Sequence, residues 1–215
     1  MTTEGGVTVV VFAGGDPVPA DVIEDLPASA LVIAADSGLD LALDLGLKVD
    51  LVIGDFDSVS PEALASVPGA AVERHPRDKD ATDLELALGA AHRADADRVV
   101  VVGGRGGRLD HALANALLLT APAHSGIEIE WLVAGTRSVV IHSANRLHGS
   151  AGELISLLPF HGAAEGVTTE GLRWDLHDAT IHAGSTWGVS NVFQLPVASV
   201  RVGSGTLLAV MSVGD

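Results

Sequence analysis

Residues 51–58 read LVIGDFDS: a short apolar run, then a glycine, then two aspartates separated by one residue. The apolar run shows no alternation of polar and apolar positions, which is typical of a β-strand covered on both faces. Runs of this kind recur along the first 130 or so residues, and most of them lack alternation. The predicted strands of this part are residues 7–12, 31–34, 51–53, 71–73, 99–102 and 127–132.

Helical patterns separate these strands. Thr82 with Glu85 forms a capping box, and Ser60 precedes Pro61 as an N-cap before a proline at the first helical position. The predicted helices are residues 20–26, 39–45, 61–66, 82–93 and 110–120. Alternation of strands and helices predicts an α/β fold with a doubly wound, mainly parallel sheet.

The pattern changes after about residue 135. Glycine, serine, histidine and asparagine interrupt short strand-like runs, and no helix is predicted. These runs are residues 139–141, 153–158, 180–182, 191–195, 199–202 and 207–211. They predict a small all-β domain, either a sandwich or a barrel. We therefore expect two domains, residues 1–134 and residues 135–215.

The composition excludes several classes of protein. The 215 residues include 28 Asp+Glu against 12 Lys+Arg, for a formal net charge of -16, and no cysteine. This charge argues against non-specific binding of nucleic acid and against adhesion to anionic membranes. Disulfides, thiolate metal sites and cysteine nucleophiles are excluded. The apolar runs are shorter than the ~18 residues of a membrane-spanning helix, and the N-terminus lacks the features of a signal peptide. We expect a cytoplasmic protein.

Polar residues that directly follow the predicted strands form the candidate site, because ligands of open parallel sheets bind at the carboxyl ends of the strands. Asp36 follows the second strand, Asp55 and Asp57 follow the third, and a glycine-rich segment, residues 103–107, follows the fifth. Two carboxylates on either side of one residue can face a single ion, and oxygen ligands without cysteine favour Mg²⁺ or Mn²⁺. The alternative is that each aspartate only caps a turn.

Two further segments carry candidate residues. Asp80 and Asp83 flank the capping box, where the helix dipole alone favours acidic residues, and Asp83 is the functional candidate of the two. Residues 103–108 have the features of a phosphate cradle: glycines allow close approach, a helix N-terminus follows, and Arg108 adds a bidentate donor. The run matches neither a Walker A motif nor Gly-x-Gly-x-x-Gly. His111 lies beside Asp110 at the helix start, where helix capping is the alternative.

The all-β half contributes Trp174, Ser190 and Asn191. An exposed tryptophan can serve as a flat platform for a cationic ring, with the serine and the asparagine as polar partners beside it. The alternative is that the tryptophan packs in a core or an interface.

Taken together, these segments resemble the thiamine pyrophosphokinase family. The similar segments are ADSG (35–38), GDFDS (54–58), KDATD (79–83), GRLDH (107–111) with Asn115 downstream, GLRWDL (171–176) and GVSN (188–191). Each one is unspecific, but six in the family's order span most of the chain. The family transfers a pyrophosphoryl group from ATP to the hydroxyethyl oxygen of thiamine and releases AMP. The resemblance implies an N-terminal α/β domain, a C-terminal β-sandwich, and a homodimer that holds thiamine where the subunits meet.

The resemblance also implies roles for individual residues. It implies that Mg²⁺ is held by Asp55, Asp57 and Asp83, that Trp174 stacks on thiamine, and that Ser190 and Asn191 contact its pyrimidine. Val192 departs from the family pattern, in which an acidic residue is usual. We assign ATP binding, including the phosphate contact of the arginine, to Asp36, Gly104, Gly107, Arg108 and His111. Lys79 is assigned to substrate binding, and Asp80 and Asp110 are the two candidates for orienting the attacking hydroxyl.

Three other functions compete with this interpretation. A phosphohydrolase of the haloacid dehalogenase type also has an Asp-x-Asp after an apolar strand, although there it follows the first strand rather than the third. A diphosphokinase for a pterin alcohol would use the same stacking platform. A non-catalytic sensor of nucleotides or thiamine phosphates would bind ligand without producing AMP.

Overall fold

The computed structural model describes residues 6–24 and 26–212. Residues 1–5, on which the expectation of no signal peptide rests, lie outside this part. The chain divides into two compact units. The first comprises the described residues up to Asn115 together with Trp131–Ala134, and the second comprises Ala116–Glu130 together with the described residues from Gly135 onward. The domain boundary between residues 134 and 135 stays a prediction.

The first unit is built on a parallel sheet with five strands wholly inside the unit. The sequence predicts six strands in this part, and the sixth, residues 127–132, falls on a strand that is divided between the two units. The five strands are β1 (Thr8–Ala13), β2 (Leu31–Ala35), β3 (Leu51–Gly54), β4 (Ala71–Arg74) and β5 (Arg98–Gly103). They lie in the order β4-β3-β2-β1-β5, with every pair parallel. The chain moves outward from β1 to β4 and then returns to the other side of β1. The carboxyl ends of β1 and β5 therefore flank the switch point of the sheet, where ligands bind in folds of this class.

Helices cover both faces of this sheet. They are α1 (Gly38–Asp44), α2 (Pro61–Ala65), α3 (Asp83–Arg93) and α4 (Leu109–Leu119). Val10 and Phe12 of β1 belong to one apolar cluster with Leu39 of α1. Val9 and Val11 are equally buried but point to the opposite face, and α3 contacts β1, β2 and β3. The prediction of a doubly wound sheet is confirmed.

Helix starts follow the predicted signals. The Oγ of Ser60 accepts from the backbone N–H of Ala63 with Pro61 at the first turn of α2, and Thr82 Oγ1 accepts from the N–H of Glu85 in α3. The prediction of an α-helix over 20–26 was wrong. The segment contains a 3₁₀ turn, Ala20–Ile23, and residue 25 lies outside the described part. A second 3₁₀ turn spans Pro122–His124. None of the described helices is long and apolar enough to cross a membrane.

Strand β6 (Glu128–Val133) has residues in both units. The strands that follow it in the second unit are β7 (Thr136–Ile141), β8 (Ala144–His148), β9 (Leu154–Glu170), β10 (Ala179–Ile181), β11 (Asn191–Val192), β12 (Val197–Arg201) and β13 (Ser204–Ser212). Their pairing is antiparallel throughout. The first half of β9 pairs with β13, which pairs with β7, and its last residues pair with β12, which pairs with β8. Side chains from both sets form one buried cluster, so the domain is a sandwich.

Candidate active site

A cavity of about 470 Å³ opens at the carboxyl ends of β1, β2 and β5 in the first unit. Its volume lies within the range of small-molecule sites. The lining brings together many residues that the sequence places far apart. Those predicted as site residues are Asp36, Lys79, Asp83, Gly104, Gly107, Arg108 and His111.

Hydrogen bonds from two side chains fix the glycine segment after β5. Asn115 of α4, which is buried, donates from Nδ2 to the carbonyl oxygen of Gly104 at 2.7 Å. The indole Nε1 of Trp131 donates to the carbonyl of Gly103, also at 2.7 Å. Gly104 has φ +75°, and a Cβ there would come within 3.0 Å of the Asn115 amide. The carbonyls therefore point into the protein, and the loop is fixed before any ligand arrives.

Three carboxylates converge beside this cavity. Oxygen atoms of Asp36, Asp55 and Asp57 all lie within 4.8 Å of one another. Asp36 and Asp83 line the cavity. Gly54 makes the convergence possible, because a Cβ at this position would lie 3.2 Å from Asp83 Oδ1 and 3.3 Å from Asp36 Cβ. The sequence placed Asp36 with the nucleotide ligands and missed that it joins the carboxylate group.

Lys79 occupies the space between two of the carboxylates. Its Nζ lies 3.1 Å from Asp55 Oδ2 and 3.2 Å from Asp83 Oδ1, and only 13% of its side chain is exposed. The contact with Asp55 is a hydrogen bond. Burial alone would lower the pKa of the Lys79 ammonium, but its contacts with the Asp55 and Asp83 carboxylates raise it above its usual value. Lys79 is therefore a cation within the site.

The carboxylates differ in their protonation equilibria. Burial raises the pKa of Asp36, and the charges of Asp83 and Asp55 add to the effect against the hydrogen bonds from Ser37 and Ser58. The backbone N–H of Asp57, followed by the Lys79 ammonium, lowers the pKa of Asp55. Asp55 is thus held as an anion, whereas Asp36 lacks enough positive charge nearby to offset its burial.

The residues fit a hard divalent cation. Within the described part, Asp36 Oδ1 and Asp83 Oδ1 are buried side-chain oxygens without a hydrogen bond of good geometry, and the contact of Asp83 Oδ1 with Lys79 is an ion pair. Buried polar atoms of this kind normally have a partner. All the available ligands are oxygen atoms, which Mg²⁺ and Mn²⁺ prefer.

The predicted phosphate-binding arginine lies at the start of α4. Arg108 donates to both carboxylate oxygens of Asp110, from Nε to Oδ1 at 3.2 Å and from a terminal nitrogen to Oδ2 at 2.5 Å. Both side chains are about two-thirds exposed, at 68% and 65%. An exposed pair of this kind contributes little stability, so the guanidinium is available to an anionic ligand. Asp80 is exposed and is not among the residues that line the cavity.

In the second unit, Asn191 fixes the backbone of Trp174. Its Oδ1 accepts from the N–H of Trp174 at 3.2 Å, and its Nδ2 donates to the carbonyl of Trp174 at 2.9 Å. The indole ring is 55% exposed, and the guanidinium of Arg173 lies 5.0 Å from its centroid. Ser190 adopts φ +61° and its N–H donates to Ser156 Oγ. The Trp174 ring therefore already has a cation, the Arg173 guanidinium, near its face. The side-chain amide of Asn191 holds the backbone that carries this ring.

Two family descriptions match the chain. "Thiamin pyrophosphokinase, catalytic domain" matches residues 24–131, and "Thiamin pyrophosphokinase, vitamin B1 binding domain" matches residues 139–207. The chain belongs to the thiamin pyrophosphokinase family. The thiamine pyrophosphokinase of Bacillus subtilis (strain 168) is 29% identical over 214 residues, which covers 95% of this chain and 98% of that protein.

Solved structures of thiamine pyrophosphokinases share the fold. The crystal structure from Bacillus subtilis matches with a TM-score of 0.86 at 26% identity, over 97% of this chain and 100% of that chain. The crystal structure from Geobacillus thermodenitrificans matches with a TM-score of 0.80 at 25% identity, over 97% of each chain. The predicted fold, a largely parallel α/β domain followed by an antiparallel β domain, is confirmed, as is the resemblance to this family.

Proposed function

We propose that the chain transfers the pyrophosphoryl group of ATP to the hydroxyethyl oxygen of thiamine, producing thiamine pyrophosphate and AMP. One observation carries the proposal: in the first unit, a cavity is lined both by the fixed glycine segment and by Asp36 and Asp83, and Asp36 belongs to the carboxylate cluster beside it. The glycine segment can bind a triphosphate, and the carboxylates can bind the divalent cation that accompanies it. Membership in the thiamin pyrophosphokinase family supports the identity of both substrates.

The reaction needs positioning and charge neutralisation more than covalent catalysis. The hydroxyl oxygen of thiamine attacks the β-phosphorus of ATP, the bond from that phosphorus to the oxygen bridging to the α-phosphorus breaks, and AMP leaves with this oxygen. The hydroxyl proton is released. The backbone N–H of Gly107 and the N-terminus of α4 bind phosphate oxygens, with Asp36 and His111 in the same ATP site. The N–H of Gly104 already donates to the carbonyls of Ala13 and Gly14, so the role of Gly104 is to let the phosphates approach closely. Arg108 exchanges Asp110 for a phosphate, and Lys79 contacts the substrate from the cavity wall.

Asp55, Asp57 and Asp83 are the proposed ligands of Mg²⁺ or Mn²⁺, and Asp36 adds a fourth carboxylate close to them. When bound, the cation neutralises the triphosphate and the leaving AMP. Asp80 and Asp110 remain the two candidates for orienting the thiamine hydroxyl. Both side chains are exposed, and Asp110 is paired with Arg108.

Thiamine is assigned to the second unit. Its cationic thiazolium ring would replace the Arg173 guanidinium on the face of Trp174, since cation and aromatic face attract each other. The hydroxyl of Ser190 and the region fixed by Asn191 contact the pyrimidine. Residues 1–134 form the proposed ATP-binding catalytic domain, and residues 135–215 the thiamine-binding domain.

A homodimer is the proposed assembly, with thiamine held where the subunits meet. Leu109, Leu113 and Leu117 repeat at every fourth position of α4 and are 72%, 57% and 51% exposed. Trp174 and Trp187 are exposed as well. Monomeric proteins seldom leave apolar stripes of this kind uncovered, so a second copy is the expected cover. We place the reaction in the cytoplasm, which supplies both ATP and Mg²⁺.

Product analysis tests the proposal. The protein is incubated with ATP, MgCl₂ and thiamine, and nucleotides and thiamine esters are separated by chromatography. We expect AMP and thiamine pyrophosphate in equal amounts. ADP with thiamine monophosphate would contradict the proposal. Phosphate release from p-nitrophenyl phosphate would support the phosphohydrolase, turnover of a pterin alcohol alone would support the related diphosphokinase, and thermal stabilisation by ligand without AMP would support a sensor.

A pair of matched variants ties the activity to the carboxylates. Asp57→Asn should lower kcat by a factor on the order of 10²–10³, the loss seen when a main electrostatic stabiliser is removed. Asp40→Asn makes the same change on the exposed side of α1 and should leave kcat within about twofold, as for most surface substitutions. Equal kcat values for Asp57→Asn and the wild type would contradict the metal assignment.

A further inference from the structure

Lys79 is the cation most deeply placed among the carboxylates of the site. Its side chain is 13% exposed, and those of its partners Asp55 and Asp83 are 14% and 25% exposed. By contrast, the ion pair of Arg77 with Asp57 has an arginine that is 80% exposed. Charge screening by water is therefore strong for Arg77 and weak for Lys79. The lysine supplies the main internal compensation for the clustered negative charge.

The oxygens that Lys79 contacts are those assigned to the divalent cation. Nζ lies 3.1 Å from Asp55 Oδ2 and 3.2 Å from Asp83 Oδ1. The other oxygen of Asp55 already accepts from the N–H of Asp57. Mg²⁺ needs ligand oxygens at about 2.0–2.1 Å in near-octahedral geometry. A divalent ion that bridges these two oxygens would take the position of the ammonium, and two cations this close repel each other.

We propose that Lys79 is a built-in counter-ion of the metal site: its ammonium bridges Asp55 and Asp83 while no divalent cation is bound, and it leaves both carboxylates when one binds. The inference rests on the proposed function, since it concerns the same metal site. Lys79 lines the cavity, so its released ammonium stays in the space assigned to the triphosphate. Arrival of the cation thereby frees a second positive charge for the phosphates. Lys79 therefore competes with the metal for Asp55 and Asp83, and contacts the phosphates of the substrate after the metal has bound.

The chain offers a clean internal control for this proposal. It contains two lysines, Lys48 and Lys79. Lys48 pairs with Asp50 at 3.2 Å, but its side chain is 85% exposed. Any reagent that modifies lysines therefore reports one buried, bridging ammonium against one exposed ammonium in the same molecule.

The first test is metal binding without ATP or thiamine. Mn²⁺ is titrated into the wild type and into Lys79→Met, Lys79→Arg and Lys48→Met, and free Mn²⁺ is followed by electron paramagnetic resonance. We expect Lys79→Met to bind Mn²⁺ about tenfold more tightly than the wild type, a change of about 1.4 kcal/mol. Lys79→Arg keeps the charge and should bind no more tightly than the wild type. Lys48→Met should match the wild type. Unchanged or weaker binding by Lys79→Met would overturn the proposal.

The second test uses the wild type and needs no variant to fold. The protein is acetylated with acetic anhydride with and without Mg²⁺, and both lysines are quantified by mass spectrometry. Without Mg²⁺ we expect Lys79 to react more slowly than Lys48. Mg²⁺ should speed the reaction of Lys79 severalfold and leave Lys48 unchanged. An unchanged or slower rate at Lys79 in the presence of saturating Mg²⁺ would refute displacement, even in a protein that makes AMP and thiamine pyrophosphate normally. Failure of that turnover would refute the proposed function instead.

Discussion

The side-chain amide of Asn191 holds both polar groups of the Trp174 backbone, donating to the carbonyl at 2.9 Å and accepting from the N–H at 3.2 Å. Asn191 is 8% exposed, whereas the indole ring that it positions is 55% exposed. A buried amide thus fixes an aromatic surface that faces solvent. Trp174 thus offers the ring surface that a ligand can contact, and Asn191 orients Trp174 without being exposed itself.

Asn191→Ala should therefore weaken thiamine binding without touching the ATP site. The loss of two hydrogen bonds frees the backbone of Trp174, and we expect KM for thiamine to rise about tenfold, which corresponds to 1.4 kcal/mol. KM for ATP should stay within about twofold of the wild type. Steady-state kinetics with each substrate varied in turn measures both. Gln194→Ala, an exposed amide three residues away, is the control, and an unchanged thiamine KM for Asn191→Ala would show that the clamp has no role in binding.

Asn115 links α4 to the glycine cradle, so its removal should affect ATP. Asn115→Ala leaves the carbonyl of Gly104 without its buried donor, a loss of about 1–3 kcal/mol in the free energy of unfolding. We expect Tm to fall by roughly 2–4 °C for each kcal/mol and KM for ATP to rise, with KM for thiamine unchanged. Differential scanning fluorimetry and ATP kinetics give the two values. A lower Tm with normal ATP kinetics would assign this asparagine to stability alone.

Adding one methyl group at Gly54 should lower activity, because it would crowd the carboxylates of the site. A Cβ at Gly54 would lie 3.2 Å from Asp83 Oδ1, and its φ is +152°. Gly54→Ala should separate the carboxylates and lower kcat by about 10²-fold, the effect of a misplacement near 1 Å. Gly46→Ala has the matching backbone problem, φ +72°, but nothing lies within 4 Å of its Cβ. Equal kcat values for the two variants would show that crowding of the carboxylates at Gly54 does not lower activity.

The burial of His142 should make the free energy of unfolding sensitive to mild acid. Burial lowers the pKa of His142 below its ordinary 6.5. One ring nitrogen lies 3.1 Å from Thr206 Oγ1, and Nε2 is buried without a partner in the described part. Below pH 6.5 the unfolded chain takes up a proton that the folded chain resists, so stability is lost as the pH falls from 6.5 through the folded pKa.

His142→Gln removes this titration. Its Tm, measured by scanning fluorimetry from pH 8 to pH 5, should fall less than that of the wild type below pH 6.5 and in parallel with it above. The exposed His148→Gln is the control. If both variants follow the wild-type curve, burial of His142 does not contribute to acid sensitivity.

The strand ends could be predicted because the apolar runs and the residues that follow them are local in sequence. Asp55 and Asp57 sit directly after β3, and their spacing predicts that they can face one ion. Phe56 between them adopts φ +62°, which the sequence does not indicate. That Asp36 joins them depends on pairing: Ala35 lies opposite Ile53, and the N–H of Asp36 donates to the carbonyl of Ile53. No local pattern states that β2 and β3 are neighbours.

Two other features needed the folded chain. Lys79 belongs to the loop before α3, and only tertiary structure shows that its ammonium lies between Asp55 and Asp83. Strand β9 runs for 17 residues, Leu154–Glu170, although the sequence predicts residues 153–158. Pro159 and Gly162 normally interrupt strands. Here Pro159 pairs in register with Leu207, and Gly162 lies between Phe160 and Glu165, where the pairing with β13 shifts its register and the strand continues.

The fate of the β-phosphorus of ATP tests the proposed transfer of a pyrophosphoryl group directly. ATP labelled with ³²P at the β position is incubated with the protein, MgCl₂ and thiamine, and the labelled products are separated. If the pyrophosphoryl group moves as a unit, the label appears in thiamine pyrophosphate and AMP is unlabelled. Label retained in ADP, with unlabelled thiamine monophosphate as the other product, would contradict transfer of a pyrophosphoryl group.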